Sequence, residues 1–246
     1  DCTADPHELN NLAGDKSYHC RLVSMRVAHR IWVRDTGDLG LVPEGIITER
    51  TRKLGNSYAI MRQGDARQAN LLLLDMAAKA SRGHKAFGEL IEGLSAADAA
   101  VRYWAATGVG NVAAGKSAAV SGTLKIKARE AVTRGLVDKS AVVRIASARA
   151  LCHLERPQKA LPVLIHELKT GNQWERLQAA IVLDEIDEQA RLLMGGTVVE
   201  NGNPGRGHHD RLTILKADAV VGFRQREKIN RQADIEAAAL EPFYDT

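Results

Sequence analysis

Leu94-Ser-Ala-Ala-Asp98-Ala-Ala-Val101-Arg102-Tyr-Trp-Ala105-Ala106-Thr-Gly108-Val109 aligns without a gap with two later stretches of the chain. They are Leu136-Val-Asp-Lys-Ser140-Ala-Val-Val143-Arg144-Ile-Ala-Ser147-Ala148-Arg-Ala150-Leu151 and Leu168-Lys-Thr-Gly-Asn172-Gln-Trp-Glu175-Arg176-Leu-Gln-Ala179-Ala180-Ile-Val182-Leu183. Each opens on Leu, then places a short polar residue, an arginine and a pair of small residues at the same steps. Asp98, Ser140 and Asn172 have the side chains that cap helix N-termini. Val101, Ala105 and Val109 then share one helical face, as do Val143, Ser147 and Leu151. The paired small residues let neighbouring helices approach closely.

An amphipathic helix precedes each stretch: Phe87, Leu90, Ile91 and Leu94; Ala128, Val132 and Leu136; Leu161, Leu164, Ile165 and Leu168. The arginines fall at 102, 144 and 176, spacings of 42 and 32 residues. Two antiparallel helices per unit at that period predict an all-α fold, an α-solenoid of stacked helix pairs. The pattern resembles the HEAT family, including its arginine early in the second helix. Recurrence at every step favours a structural role for the arginines, each bonding a carboxylate or helix end of an adjacent repeat. Ala69 to Ala80 reads as a further apolar helix stopped at Gly83, an incomplete first repeat. The longer first spacing leaves about ten extra residues near 113–123, read as a loop or ragged helix start.

Composition agrees with helices. The chain has 246 residues, 45% hydrophobic but only 4% aromatic, so Ala, Val, Leu and Ile must build the core. Such small side chains suit close helix packing better than a β-sandwich. Apolar runs are too short for a transmembrane helix. A net charge of +4, with Lys and Arg interspersed among Asp and Glu, reads as a solvated surface rather than a nucleic-acid face.

At the N-terminus, Asp5-Pro6-His7-Glu8-Leu9-Asn10-Asn11-Leu12-Ala13 begins with a proline turn, and Leu9 and Leu12 are spaced to pin one helical turn. As a string it closely resembles the D-P-x-E-x-x-N-L-A tail signature of the sulfatase family. Trp32-x2-Asp35-Thr36-Gly37-Asp38-Leu39-Gly40-Leu41-x-Pro43-Glu44 is similar to the helix and loop that follow it in bacterial members, some of which carry helical repeats afterwards. With a first residue Asp1 rather than Met, the chain reads as the tail of a larger enzyme. The resemblance implies three regions: 1–60, the end of a sulfatase C-terminal subdomain with a linker helix; 66–191, the helical repeats; and 192–246, a divergent or partly disordered tail. It further implies an accessory role beside a sulfatase catalytic domain, periplasmic or extracellular location, and calcium and formylglycine in that domain. The alternative is a stand-alone HEAT module that binds a protein partner. No catalytic, cofactor-binding or metal-binding residue is assigned to this chain itself. Formylglycine needs Cys in C-x-P-x-R or C-x-A-x-R, whereas Cys20-Arg-Leu and Cys152-His-Leu have Leu at the third position.

Other motifs carry bland readings. Gly110-Asn-Val-Ala-Ala-Gly115-Lys116-Ser117 matches the phosphate-cradling G-x-x-x-x-G-K-[ST] string, but a helix rather than a strand is expected before it. His208-His209-Asp210 lacks a third converging ligand, and His7, His19, His29, His84, His153 and His166 are scattered. Cys2 and Cys20 have a spacing that leaves pairing open, and Cys152 reads as a small core residue. Tyr103, Trp104 and Trp174 are candidates for an exposed binding face or for groove fillers between repeats.

Overall fold

The computed structural model describes residues 2–64, 66–115 and 120–186. Lys116, Ser117, the His208–Asp210 cluster and the whole 192–246 region lie outside them. Among the described residues the regular elements are helices throughout: α1 (His19–Thr36), α2 (Glu44–Leu54), α3 (Ala66–Ala80), α4 (Phe87–Gly93), α5 (Ala99–Ala114), α6 (Gly122–Gly135), α7 (Ala141–His153), α8 (Pro157–Thr170) and α9 (Gln173–Glu185), with short 3-10 turns between some of them. This is the expected all-α solenoid. Its repeats are the pairs α4/α5, α6/α7 and α8/α9.

The second helices α5, α7 and α9 pack one on the next, and α3 takes the corresponding place ahead of α5. The first helices brace this layer from one side. The core is continuous through all three pairs, from Phe87 and Leu90 through Val132, Ile145 and Leu151 to Leu164 and Leu183. Small residues set the spacing. A Cβ on Gly108 would stand 2.9 Å from the Cα of Ala80 and 2.5 Å from a methyl of Leu90, so α5 lies nearly backbone to backbone against α3. Contact this close is available only where side chains are absent or are single methyl groups.

Capping follows the sequence at two of three repeats. The Asp98 carboxylate accepts from the N–H groups of Ala100 and Val101. Asn172 accepts from Trp174 and Glu175, whose own side chain returns to the Asn172 N–H as a capping box. At the middle repeat the Ser140 hydroxyl makes no cap bond, contrary to expectation. Asp138 binds the Ser140 N–H instead, because the 138 carboxylate is already fixed there by an arginine.

The N-terminal turn also differs in detail. Glu8 N–H closes the proline turn on Asp5 O at 3.0 Å, and the Asp5 carboxylate accepts from Asn10. Leu9 remains exposed, however, and the helical turn begins only at Leu12, capped by Asn11. Leu9 is 81% exposed, so the Leu9–Leu12 spacing pins no turn among the described residues.

Candidate functional site

The arginines early in the second helices form a ladder. Arg102 donates from Nε and Nη2 to the two carboxylate oxygens of Asp138 at 2.7 and 2.9 Å. Its Nη1 donates to the carbonyls of Ala96 and Ala97, both at 2.8 Å. One repeat on, Arg144 donates to Glu167 at 2.6 Å and to the carbonyls of Asp138 and Lys139. Arg176 donates to Leu168 O at 3.2 Å. Each arginine therefore ties down the turn of its own helix pair, and the first two also grip an acid of the next repeat. Burial pushes the Asp138 carboxyl up, but hydrogen bonds from Arg102 and the Ser140 N–H, with the charges of Arg102 and Arg144, outweigh it and hold the group below its ordinary value. The hydrogen bond to Asp138 raises the Arg102 guanidinium in turn. The ladder is structural, as its regular recurrence implied.

A second clamp closes the far edge of the layer. Arg149 holds Glu185 through two bonds of 2.6 Å and reaches Asn111 at 3.0 Å, tying α5, α7 and α9 together. His153 approaches the same carboxylate at 3.1 Å. The Arg149 hydrogen bonds keep Glu185 below its usual range despite partial burial. Burial, helped by the Glu185 charge, pushes the neighbouring Cys152 thiol up to about 12, which leaves it an unreactive core group.

What the repeat pattern did not reveal is how the N-terminal segment sits. Helix α1 stops at Gly37, whose φ of +61° is the left-handed geometry glycine accepts readily. The chain then crosses onto the second-helix layer. Val42 and Ile46 are buried there, Trp104 donates its indole N–H to Leu41 O at 2.7 Å, and Arg50 pairs with Asp98 at 2.7 Å. Gly45 allows the closest approach, since a Cβ there would lie 2.8 Å from Val142. Ile46 and Arg50 are four apart in α2, so one face of that helix makes both contacts, and Val42 joins them from the turn before it. That spacing was the available signal. Trp104 is thereby a half-buried anchor for the chain's own segment rather than an open binding residue. Tyr103 lies against it edge-on, and Trp174 is half-buried too.

Helix α1 is the opposite case. Of its eighteen residues only Val33 is buried. Asn70 donates to Val33 O, and Arg62 donates to Thr36 O, so its C-terminal end is fastened to the body. The preceding turns leave Val23, Met25, Val27, Ile31 and Trp32 exposed, the methionine by 63%. Val23, Val27 and Ile31 form one stripe at four-residue spacing, while Met25 and Trp32 lie on another side.

The phosphate-loop string does not form a loop in its described part. Gly110 to Ala114 continue α5, and Gly115 N–H bonds back to Asn111 O. Gly110 serves the helix interface, its missing Cβ making room for Arg149 and Ala150. Cys2 and Cys20 are both exposed free thiols, and Cys2 donates to Glu8. Among the described residues no group of three or more His, Cys, Asp or Glu is placed to hold a metal ion, and no helix is long and apolar enough to cross a membrane.

Residues 87–184 match the family model of HEAT repeats. The matched region spans the three helix pairs and the arginine ladder. No curated protein and no solved structure matches the chain. The finding supports HEAT-like repeats and does not extend to the sulfatase resemblance of the N-terminal residues.

Proposed function

We propose that this chain is an accessory helical-repeat region of a sulfatase, with the HEAT-like repeats as a rigid support and α1 as the element that docks the catalytic domain. The exposed apolar surface of α1 carries this reading. An eighteen-residue helix with uncovered valines, isoleucine, methionine and tryptophan on more than one side is suited to lie between two bodies. The repeats are one body. The D-P-x-E-x-x-N-L-A resemblance at 5–13, immediately before α1, names the other. Sulfate-ester hydrolysis, with its calcium and formylglycine, then belongs to that domain, in a periplasmic or extracellular setting.

The stand-alone module reading calls for an open second-helix face. Here residues 41–50 lie over part of that face through Val42, Ile46 and Arg50.

Reading the coding sequence upstream of Asp1 tests the proposal. A formylglycine motif a few hundred residues back is expected. An initiating methionine directly before Asp1 sinks the sulfatase reading. The chain alone should show no turnover of aryl sulfates, with or without calcium.

A further inference from the structure

Residues 41–54 cross the second-helix layer as a strap whose two ends are fastened independently of the surface it covers. On one side Asn70 and Arg62 hold the end of α1 through Val33 O and Thr36 O. On the other, Ala59, Ile60 and Met61 are buried ahead of α3. Gly37 and Gly55 lie between the strap and these anchors, both at positive φ. Nothing stands within 4 Å of a Cβ built on Gly55.

The strap fills its seat incompletely. Of the eleven residues of α2, Gly45 and Ile46 are buried, whereas α7 in the core buries ten of its thirteen. Gly45 meets Val142 closely, yet one turn further along Thr48, Glu49 and Arg52 stand over a cavity of about 380 Å³. The opposite wall is the start of α7, at Lys139 and Ser140, and the turn into α9, at Asn172 and Glu175. Thr51 adds a second cost, because its hydroxyl oxygen is buried and has no hydrogen-bond partner among the described residues. A gap without contacts and a stranded hydroxyl both weaken the hold of α2 on the layer.

We propose that α2 is a displaceable occupant of its own seat, and that the second-helix face beneath it binds an amphipathic helix of a partner protein in its place. The chemistry of that helix is read from the contacts α2 makes. It carries an aliphatic side chain where α2 has Ile46 and an arginine four residues on, which reaches Asp98 as Arg50 does at 2.7 Å. It differs where α2 fits badly, with an apolar side chain in place of the Thr51 hydroxyl. Such a difference is needed because a segment tethered at both ends acts at an effective concentration of about millimolar, and a free helix with the same contacts does not displace it. The inference concerns the repeats and α2 alone and does not depend on the sulfatase reading.

The test uses the full chain and two labelled peptides, residues 38–56 of this sequence and the same peptide with Thr51→Val. Valine matches threonine in shape and in helix propensity, so the pair isolates the hydroxyl. The strap is opened by Ile46→Asp with Arg50→Glu, which puts one acid into the apolar contact and another beside Asp98. In fluorescence anisotropy the opened chain should bind the native peptide about tenfold or more tighter than the wild type, whose seat is occupied. Arg50→Glu alone leaves the apolar contacts in place and should give a smaller gain in the same direction. The Thr51→Val peptide should bind the opened chain severalfold tighter than the native peptide. Asp98→Asn in the opened chain keeps a capping side chain for α5 and should weaken binding severalfold. Equal binding to the wild type and both opened chains, or no binding to either opened chain, overturns the proposal. Wild-type dimers that the native peptide dissolves would overturn the separate partner and assign the seat to the strap of a second copy.

Discussion

Ser147 is fully buried in α7, and its hydroxyl has no hydrogen-bond partner among the described residues. It sits where the repeat calls for a small residue, pressed against Gly135, whose Cβ would fall 2.2 Å from that oxygen. A buried unpaired hydroxyl costs about 1–3 kcal/mol, so Ser147→Ala should raise stability by about 1 kcal/mol in urea unfolding. Gly108→Ala should do the reverse. Helix propensity favours alanine by about 1 kcal/mol, but the Ala80 backbone and Leu90 have no room, and a net loss of about 1–2 kcal/mol is expected from overpacking. A variant as stable as the wild type would show that α3 and α5 are not held this closely. At the same scale, Asp138 and Glu185 both have lowered folded-state pKa values. A depressed carboxyl contributes stability that is complete above its unfolded pKa and is lost as pH falls through its lower folded value. Stability should therefore drop below about pH 4, and Asp138→Asn should flatten that drop. It should also weaken the protein at pH 7, because Arg102 then lacks its charge partner.

At the scale of elements, the segment from Leu41 to Leu54 is held by Val42 and Ile46, which join the edge of the repeat core, by Leu41 and Ile47 packed against it, by one indole hydrogen bond and by one partly buried ion pair. The repeats beneath it share a continuous core. Local opening of this segment should therefore need less free energy than global unfolding. Trp104→Phe removes the bond to Leu41 and should cost about 1 kcal/mol; Ile46→Ala should cost about 2–4 kcal/mol. In hydrogen exchange, both changes should speed the amides of α2 and leave those of α5 and α7 slow. Uniform acceleration across all helices would mean that the segment is part of the repeat's cooperative unit. The helical state of Gly110–Ala114 yields a further expectation at this scale. Backbone amides committed to α5 are not free to cradle a phosphate. ATP or GTP at millimolar concentration with magnesium should leave the melting temperature unmoved.

For the whole molecule, the repeats make stability a chain of neighbour interactions, α5 on α7 and α7 on α9, joined by the Arg102, Arg144 and Arg149 clamps. Far-ultraviolet circular dichroism should be dominated by helix. A strand-dominated spectrum would remove the solenoid.

The sequence by itself determined the repeat. Capping residues, 3.6-residue apolar periodicity and the recurring arginine are local features, and each is read within a single helix pair. It also made the arginines structural, since the same residue at every step implies a job repeated at every step. It did not identify the partners of those arginines, because Asp138 and Glu167 reach them only when separate helices stack. Nor did it reveal that Trp104 holds Leu41, a contact between residues 63 apart in sequence. Thr48, Glu49 and Arg52 look like an ordinary helix surface along the chain, and only the seating of α2 on the repeats sets them over a cavity. Periodicity records which way a side chain faces; tertiary packing decides what it meets there.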